Sequence, residues 1–215
     1  MKEIIADFKK KSTFHEIKNQ ISVCKLYLEI IKKTLAKENY KNDMVTRALA
    51  TISNSVRAIE TSMYDLKAQI NPVAIKKFNL CELVNDVFLA SVGFSENKQT
   101  DFINEVDINT EINADRDKMY SVLINLCKNA VEAIPEKGYI KISFSDNSIF
   151  VENNGVPIPY CINSKIFDDG FTTKPDGTGL GLMLVKKLLS LQKFGIKLLK
   201  SDVNSTVFEI IGRNP

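Results

Sequence analysis

From Phe14 onward the apolar residues fall at Phe14, Ile17, Ile21, Cys24, Leu28, Ile31 and Leu35, in alternating steps of three and four. That spacing is the seam of a coiled coil or four-helix bundle. A polar stretch, 37–43, interrupts it, and the pattern resumes at Val45, Leu49, Ile52, Val56, Ile59, Met63, Leu66 and Ile70. Neither segment contains Pro or Gly, and Pro72 closes the second. The short connector predicts two antiparallel helices. Two helices with one seam each cannot enclose a core, so a homodimer is expected, with two hairpins forming a four-helix bundle. Taken alone, without His15 and the second domain, the pattern is better read as a structural hairpin with no chemistry.

After Pro72 the periodicity mixes. Residues 80–90 read as a helix, 101–106 as extended, and 115–134 as a long helix. Residues 139–144 and 148–151 alternate as strands about Asp146-Asn147, a hairpin-turn pair. A helix over 180–191 and strands over 196–200 and 206–211 follow. Helices on one face of a mixed sheet make a two-layer α+β sandwich. The expected organisation is therefore a helical hairpin at 1–72 and a sandwich domain at 73–215.

Composition narrows the picture by exclusion. A formal charge of +3 is too slight to point to nucleic acid or an anionic membrane surface. No apolar run approaches the roughly 18 residues of a membrane span, and the Met1-Lys-Glu-Ile-Ile start lacks a secretory core. A cytoplasmic chain is expected, with any sensor segment in a partner or outside this sequence. Cys24, Cys81, Cys127 and Cys161 lie far apart, without the clustered spacing zinc requires, and read as buried small hydrophobes in a reducing compartment.

Four features carry candidate chemistry. Asn125 and Asn129 are spaced i, i+4, so both amides project from one helix face. Neutral carbonyl oxygens suit a magnesium ion that already carries phosphate ligands. Gly177-Thr-Gly-Leu-Gly181 opens a helix, where glycines let phosphate oxygens approach free backbone amides at the positive end of the dipole. It is neither a Walker loop nor a dinucleotide fingerprint, lacking the Gly-Lys-Ser/Thr and the tight strand turn. Phe167 and Phe171 would anchor the loop containing Thr172, Thr173 and Lys174, letting it dock and undock. His15, the lone histidine, follows the seam residue Phe14 and so turns to the bundle's flank. Glu16 can hydrogen-bond one ring nitrogen and fix the tautomer, and Asn19, one turn along, can orient a water.

These pieces, in this order, resemble the sensor histidine kinases of two-component signalling, whose ATP-binding domain is of the gyrase, Hsp90, histidine kinase and MutL type. The resemblance covers nearly the whole chain. His15-Glu-Ile-Lys-Asn19 resembles the phosphoacceptor box, which implies that His15 is phosphorylated, Glu16 is its acid–base neighbour and Asn19 serves phosphatase activity. Gln20 stands where Pro is usual, implying reduced local flexibility. Asn129 is implied as the magnesium ligand and Asn125 as a phosphate-proximal residue. Asn153-Asn-Gly155 resembles the first glycine box, Phe167 to Lys174 the phenylalanine box, and Gly177-Thr178-Gly179-Leu180-Gly181 the second glycine box. Thr206 resembles the terminal-strand threonine that supports the adenine-side residue. Relatives that hydrolyse ATP with water place a glutamate where Asn125 stands, so transfer to a protein histidine is implied.

Two departures matter: Asn153 replaces the aspartate that accepts from the adenine amino group, and Pro157 replaces a glycine. A neutral acceptor is weaker by ~1 kcal/mol, and an amide that can also donate is expected to relax discrimination against guanine. The implied function is ATP-dependent autophosphorylation of His15 with Mg2+, then transfer to an aspartate of a response-regulator receiver domain. An upstream sensor protein or domain is a further implied partner. A degenerate kinase acting as a phosphotransfer scaffold, or a serine kinase of the anti-sigma type, are the other readings these residues allow.

Overall fold

The computed structural model describes residues 2–38, 40, 42–95, 98–173 and 179–212; the side chains of 2–15, 18, 54, 57, 58, 60, 61 and 64 lie outside that description. The chain divides into two units, Met1–Lys67 and Ala68–Pro215.

In the first unit, helix α1 spans Lys2–Lys37 and helix α2 starts at Asp43, ending beyond the unit at Ile70. Asn42 caps α2, its Oδ1 accepting from the amides of Met44 and Val45 at 2.9 and 3.1 Å. Ile21, Leu28 and Val56 form a small buried cluster with Leu49 and Met63 against it. The other seam positions Ile17, Ile31, Ile52, Ile59 and Leu66 stay exposed, and so does Cys24.

The second unit is an α+β sandwich. A five-stranded sheet runs in the order β2 (Gln99–Asn104), β4 (Lys137–Ser145), β5 (Ser148–Asn153), β7 (Thr206–Gly212), β6 (Phe194–Ser201). Only β2–β4 is parallel; the remaining pairs are antiparallel. Asp146 and Asn147 take positive φ of 49° and 59°, the turn that joins β4 to β5 with the twist of the strands. Helices α3 (Leu80–Ser91), α4 (Arg116–Ala133) and α5 (Gly181–Leu191) share one core with the sheet's inner face, including Leu83, Leu123, Ile140, Val151, Leu188 and Ile210.

A second sheet, β1 (Lys76–Asn79) against β3 (Glu111–Ala114), was not foreseen from the sequence. Strand β2 also begins two residues before the expected start and stops at Asn104. There the side-chain amide turns to Asn85 at 2.8 Å while its Oδ1 accepts from Val106, which ends the strand.

The cysteines need correcting. Cys127 is buried, and burial pushes its thiol up to about 12. Cys81 is half-buried, whereas Cys24 and Cys161 are exposed. Cys24 sits on a seam that a single hairpin leaves open, and Cys161 in a one-turn helix, Tyr160–Ile162.

Candidate nucleotide-binding site

Helix α4 is fixed at both ends. Asp115 caps its start, accepting from the Lys118 amide at 3.1 Å and from the Ala74 amide at 2.8 Å. The buried Lys118 ammonium lies 3.4 Å from that carboxylate and donates to the Asn71 carbonyl at 2.9 Å. The Asp115 amide in turn donates to Gln192 beyond the end of α5 at 2.6 Å. Burial pushes the Asp115 carboxyl up, but the Ala74 and Lys118 amides and the Lys118 charge outweigh it, holding the group below its ordinary range. At the other end, the Val156 amide donates to Ala133 at 2.8 Å.

That last bond explains Gly155. A Cβ there would lie 2.6 Å from the Ala133 carbonyl carbon and 2.7 Å from its oxygen, so only glycine lets this turn press against α4. Ala133, Asn129 and Asn125 follow one another at i, i+4 along a single stripe. The stripe runs about 12 Å from the Gly155 turn to Asn125. At its far end Gly181 closes the line. A Cβ on Gly181 would stand 3.5 Å from Asn125 Oδ1 and 3.9 Å from Asn129 Nδ2. Asn125 is buried, and its Nδ2 donates to the Ser121 carbonyl at 2.8 Å, which directs Oδ1 towards Gly181. The asparagine pair and the end of the second glycine box are thus neighbours.

Gly181 is the first residue of α5, whose start carries no side-chain cap among the described residues. Gly179, at φ 67°, packs against the backbone of Gly170, so the two loop motifs meet as well. Phe167 stacks edge-on against Phe208 of β7 at 6.2 Å, and both Phe167 and Phe171 pack on the core. Thr172 and Thr173 are exposed. Leu180 is half exposed, at 52%. Lys174, Gly177 and Thr178 lie outside the described residues.

Asn153 ends β5 with its side chain buried, and it stands directly across the ladder from Thr206. Its Nδ2 is buried without a hydrogen-bond partner among the described residues. Thr206 is buried too, but its hydroxyl bonds Ser201 Oγ at 2.8 Å, and that oxygen accepts from the Ile158 amide. Ser201 is a neighbour the sequence reading missed, because nothing local marks a serine at the end of β6. Glu152 faces the other way, as period-two alternation requires. It accepts from Tyr139 Oη at 2.8 Å and pairs with Lys141 at 3.1 Å, so burial raises its carboxyl but these two partners hold it low.

His15, Glu16 and Asn19 all lie on α1 in the first unit. Glu16 and Asn19 are exposed; the His15 side chain is outside the description.

A buried amide with an unmatched donor, next to a stripe of carboxamides that ends at an uncapped helix start, has the chemistry for a purine base at one end and phosphates at the other. The chain is also similar to known proteins over this unit. The family described as "Histidine kinase-, DNA gyrase B-, and HSP90-like ATPase" matches residues 114–210. A nucleotide-free structure of the catalytic domain of histidine kinase ThkA is 32% identical, with a TM-score of 0.57, covering 66% of this chain and 99% of that one. The chain belongs to the sensor histidine kinases.

Among other members of that family, AtoS of Escherichia coli (strain K12) is 28% identical over 205 residues, 92% of this chain and 33% of AtoS. Sporulation kinase A of Bacillus subtilis (strain 168) is 30% identical over 204 residues, 91% of this chain and 32% of its own length. The chain therefore spans about a third of the length of those two curated relatives. ThkA in complex with the response regulator TrrA is 26% identical, with a TM-score of 0.58, and covers 99% of this chain and 63% of that one. Among the described residues no helix is long and apolar enough to cross a membrane.

Proposed function

We propose that this chain is an ATP-dependent protein histidine kinase that phosphorylates His15 and passes the phosphoryl group to an aspartate of a response regulator. The observation that carries the reading is the convergence of Asn125, Asn129 and Gly181 at the uncapped start of α5. The base end lies at Asn153 and Gly155, and the phosphate end at Gly181. Asn125 and Asn129 offer neutral oxygens, which fit a magnesium ion arriving with nucleotide oxygens and its own waters. Such an ion would be held by Asn129 and would supply charge neutralisation at the phosphates.

In the transfer, a lone pair of the His15 imidazole forms a nitrogen–phosphorus bond with the terminal phosphorus of ATP. The bond from that phosphorus to the bridging oxygen breaks, and ADP leaves with the electron pair. The proton on the other ring nitrogen passes to the Glu16 carboxylate. Positioning and electrostatics supply most of the rate, since the protein has little covalent work to do. In the second step the carboxylate of a receiver-domain aspartate takes the phosphoryl group, and Asn19 orients the water that later removes it.

The functional unit is a homodimer: Ile17, Ile21, Cys24, Val56 and Ile59 line an apolar groove on the hairpin, which a second copy would cover to complete a four-helix bundle. The names of the relatives favour an active kinase over a scaffold. The test is incubation with Mg2+ and γ-labelled ATP beside His15→Gln and Asn129→Ala. Acid-labile label on the unsubstituted protein, absent from both variants, supports the proposal. No label, or alkali-labile label, overturns it.

A further inference from the structure

The buried end of the nucleotide site has an unusual lack of constraint. Asn153 is only 5% exposed, and its Nδ2 meets no acceptor among the described residues. The one hydroxyl paired with it across the ladder, on Thr206, is instead engaged with Ser201 Oγ at 2.8 Å. Ser201 Oγ already accepts from the Ile158 amide at 2.8 Å, so the two hydroxyls and that amide satisfy one another without recruiting the carboxamide. Glu152 is turned to the opposite face, towards Tyr139 and Lys141. Among the described residues no hydrogen bond to Nδ2 holds the Asn153 amide in one of its two orientations, which differ by a half-turn about its last torsion.

That freedom has a chemical consequence. A carboxamide presents one acceptor and one donor side by side. With Oδ1 leading, it accepts from a purine 6-amino group and donates to the adjacent ring nitrogen. After a half-turn it donates to a 6-keto oxygen and accepts from the adjacent ring N–H. A carboxylate at this position would accept from the 6-amino group but repel a 6-keto oxygen.

Resting on the nucleotide-site reading above, we infer that Asn153 is a specificity-determining residue that opens this pocket to 6-oxopurine nucleoside triphosphates as well as to ATP. The base is read by a rotatable amide, and selection for the 6-amino group is weak.

Titration calorimetry of the intact chain with Mg-ATP, Mg-ITP and Mg-GTP tests this. ITP changes only the 6-position and its neighbouring ring proton, and GTP adds a 2-amino group. The expected result is an ITP dissociation constant within about tenfold of that for ATP, a gap of about 1.4 kcal/mol or less. Weak GTP binding beside strong ITP binding still supports the inference and confines the pocket to bases without the 2-amino group. Asn153→Asp should raise the ATP-over-ITP preference at least tenfold above that of the unsubstituted protein. ITP binding more than tenfold weaker than ATP overturns the inference, as does a folded Asn153→Asp variant with an unchanged ratio. If the variant does not fold, the comparison on the unsubstituted chain decides alone. Tight ATP binding with ITP excluded sinks this inference and leaves the kinase proposal standing, whereas no binding of any of the three sinks both.

Discussion

Replacing Gly181 by alanine separates a structural role for this glycine from a phosphate-contacting one. Its added methyl would sit 3.5 Å from Asn125 Oδ1 and 3.9 Å from Asn129 Nδ2, ordinary van der Waals distances that impose no strain. Gly181 is the first residue of α5, so alanine also reduces the backbone entropy lost on folding. The nucleotide-free variant should gain about 0.5–1 kcal/mol. For a chain of this size that raises the melting temperature by about 1–4 °C. The same methyl fills the gap through which phosphate oxygens would reach the α5 amides and the two carboxamides. Losing one charge-assisted hydrogen bond there costs about 1.5–3 kcal/mol, or roughly 10–150-fold in dissociation constant. Thermal unfolding with and without saturating Mg-ATP reads both effects at once. The expected pattern is a higher melting point without nucleotide and a smaller nucleotide-induced rise. An undiminished nucleotide-induced rise would refute the placement of the phosphates at Gly181.

Asp115→Ala removes a helix cap and the Ala74 contact, and leaves the Lys118 ammonium buried without its carboxylate, at 1% side-chain exposure. It should cost about 3–5 kcal/mol in urea unfolding, with Lys118→Met in the same chain restoring part of the loss. Because the folded Asp115 carboxyl is held below its unfolded value, its contribution is complete above about pH 4 and fades as pH falls through the folded value. The stability gap between the unsubstituted protein and Asp115→Asn should therefore shrink below pH 4, and a gap that grows with acidity contradicts the assignment. Thiol labelling at pH 8 should leave Cys127 unmodified, since a thiol at about 12 is only about one part in ten thousand thiolate there. Cys161 should react readily, and Cys24, exposed on a single hairpin but lining the groove that a second copy would cover in the proposed dimer, should react more slowly. Equal rates at Cys24 and Cys161 would argue against that interface.

Most of the second unit was legible because its elements carry strong local signals. Asp115 is a capping residue ahead of a long apolar period, and α4 begins at the next residue. Asp146-Asn147 marks the β4–β5 turn by tolerance of positive φ. Strands β1 and β3 were not legible: each has four residues, and Lys76-Lys-Phe-Asn79 has no alternation to read. Their pairing depends on contacts between segments more than thirty residues apart. Asn125, Asn129 and Gly181 each stood out in the sequence, but that they are neighbours depends on how α5 packs beside α4. The role of Gly155 as a close-packing residue against Ala133 depends on where the β5 turn meets α4, a tertiary fact. Likewise, Thr206 could be matched to a supporting role from sequence, but its engagement with Ser201 is visible only once β6 and β7 are paired.

The most direct test of the account is the covalent state of the imidazole at position 15. After exposure to saturating Mg-ATP, peptide mass spectrometry kept mildly alkaline should find one phosphoryl group on His15, and none once Asn129 is replaced by alanine. An unmodified His15 in a chain that binds the nucleotide would contradict it.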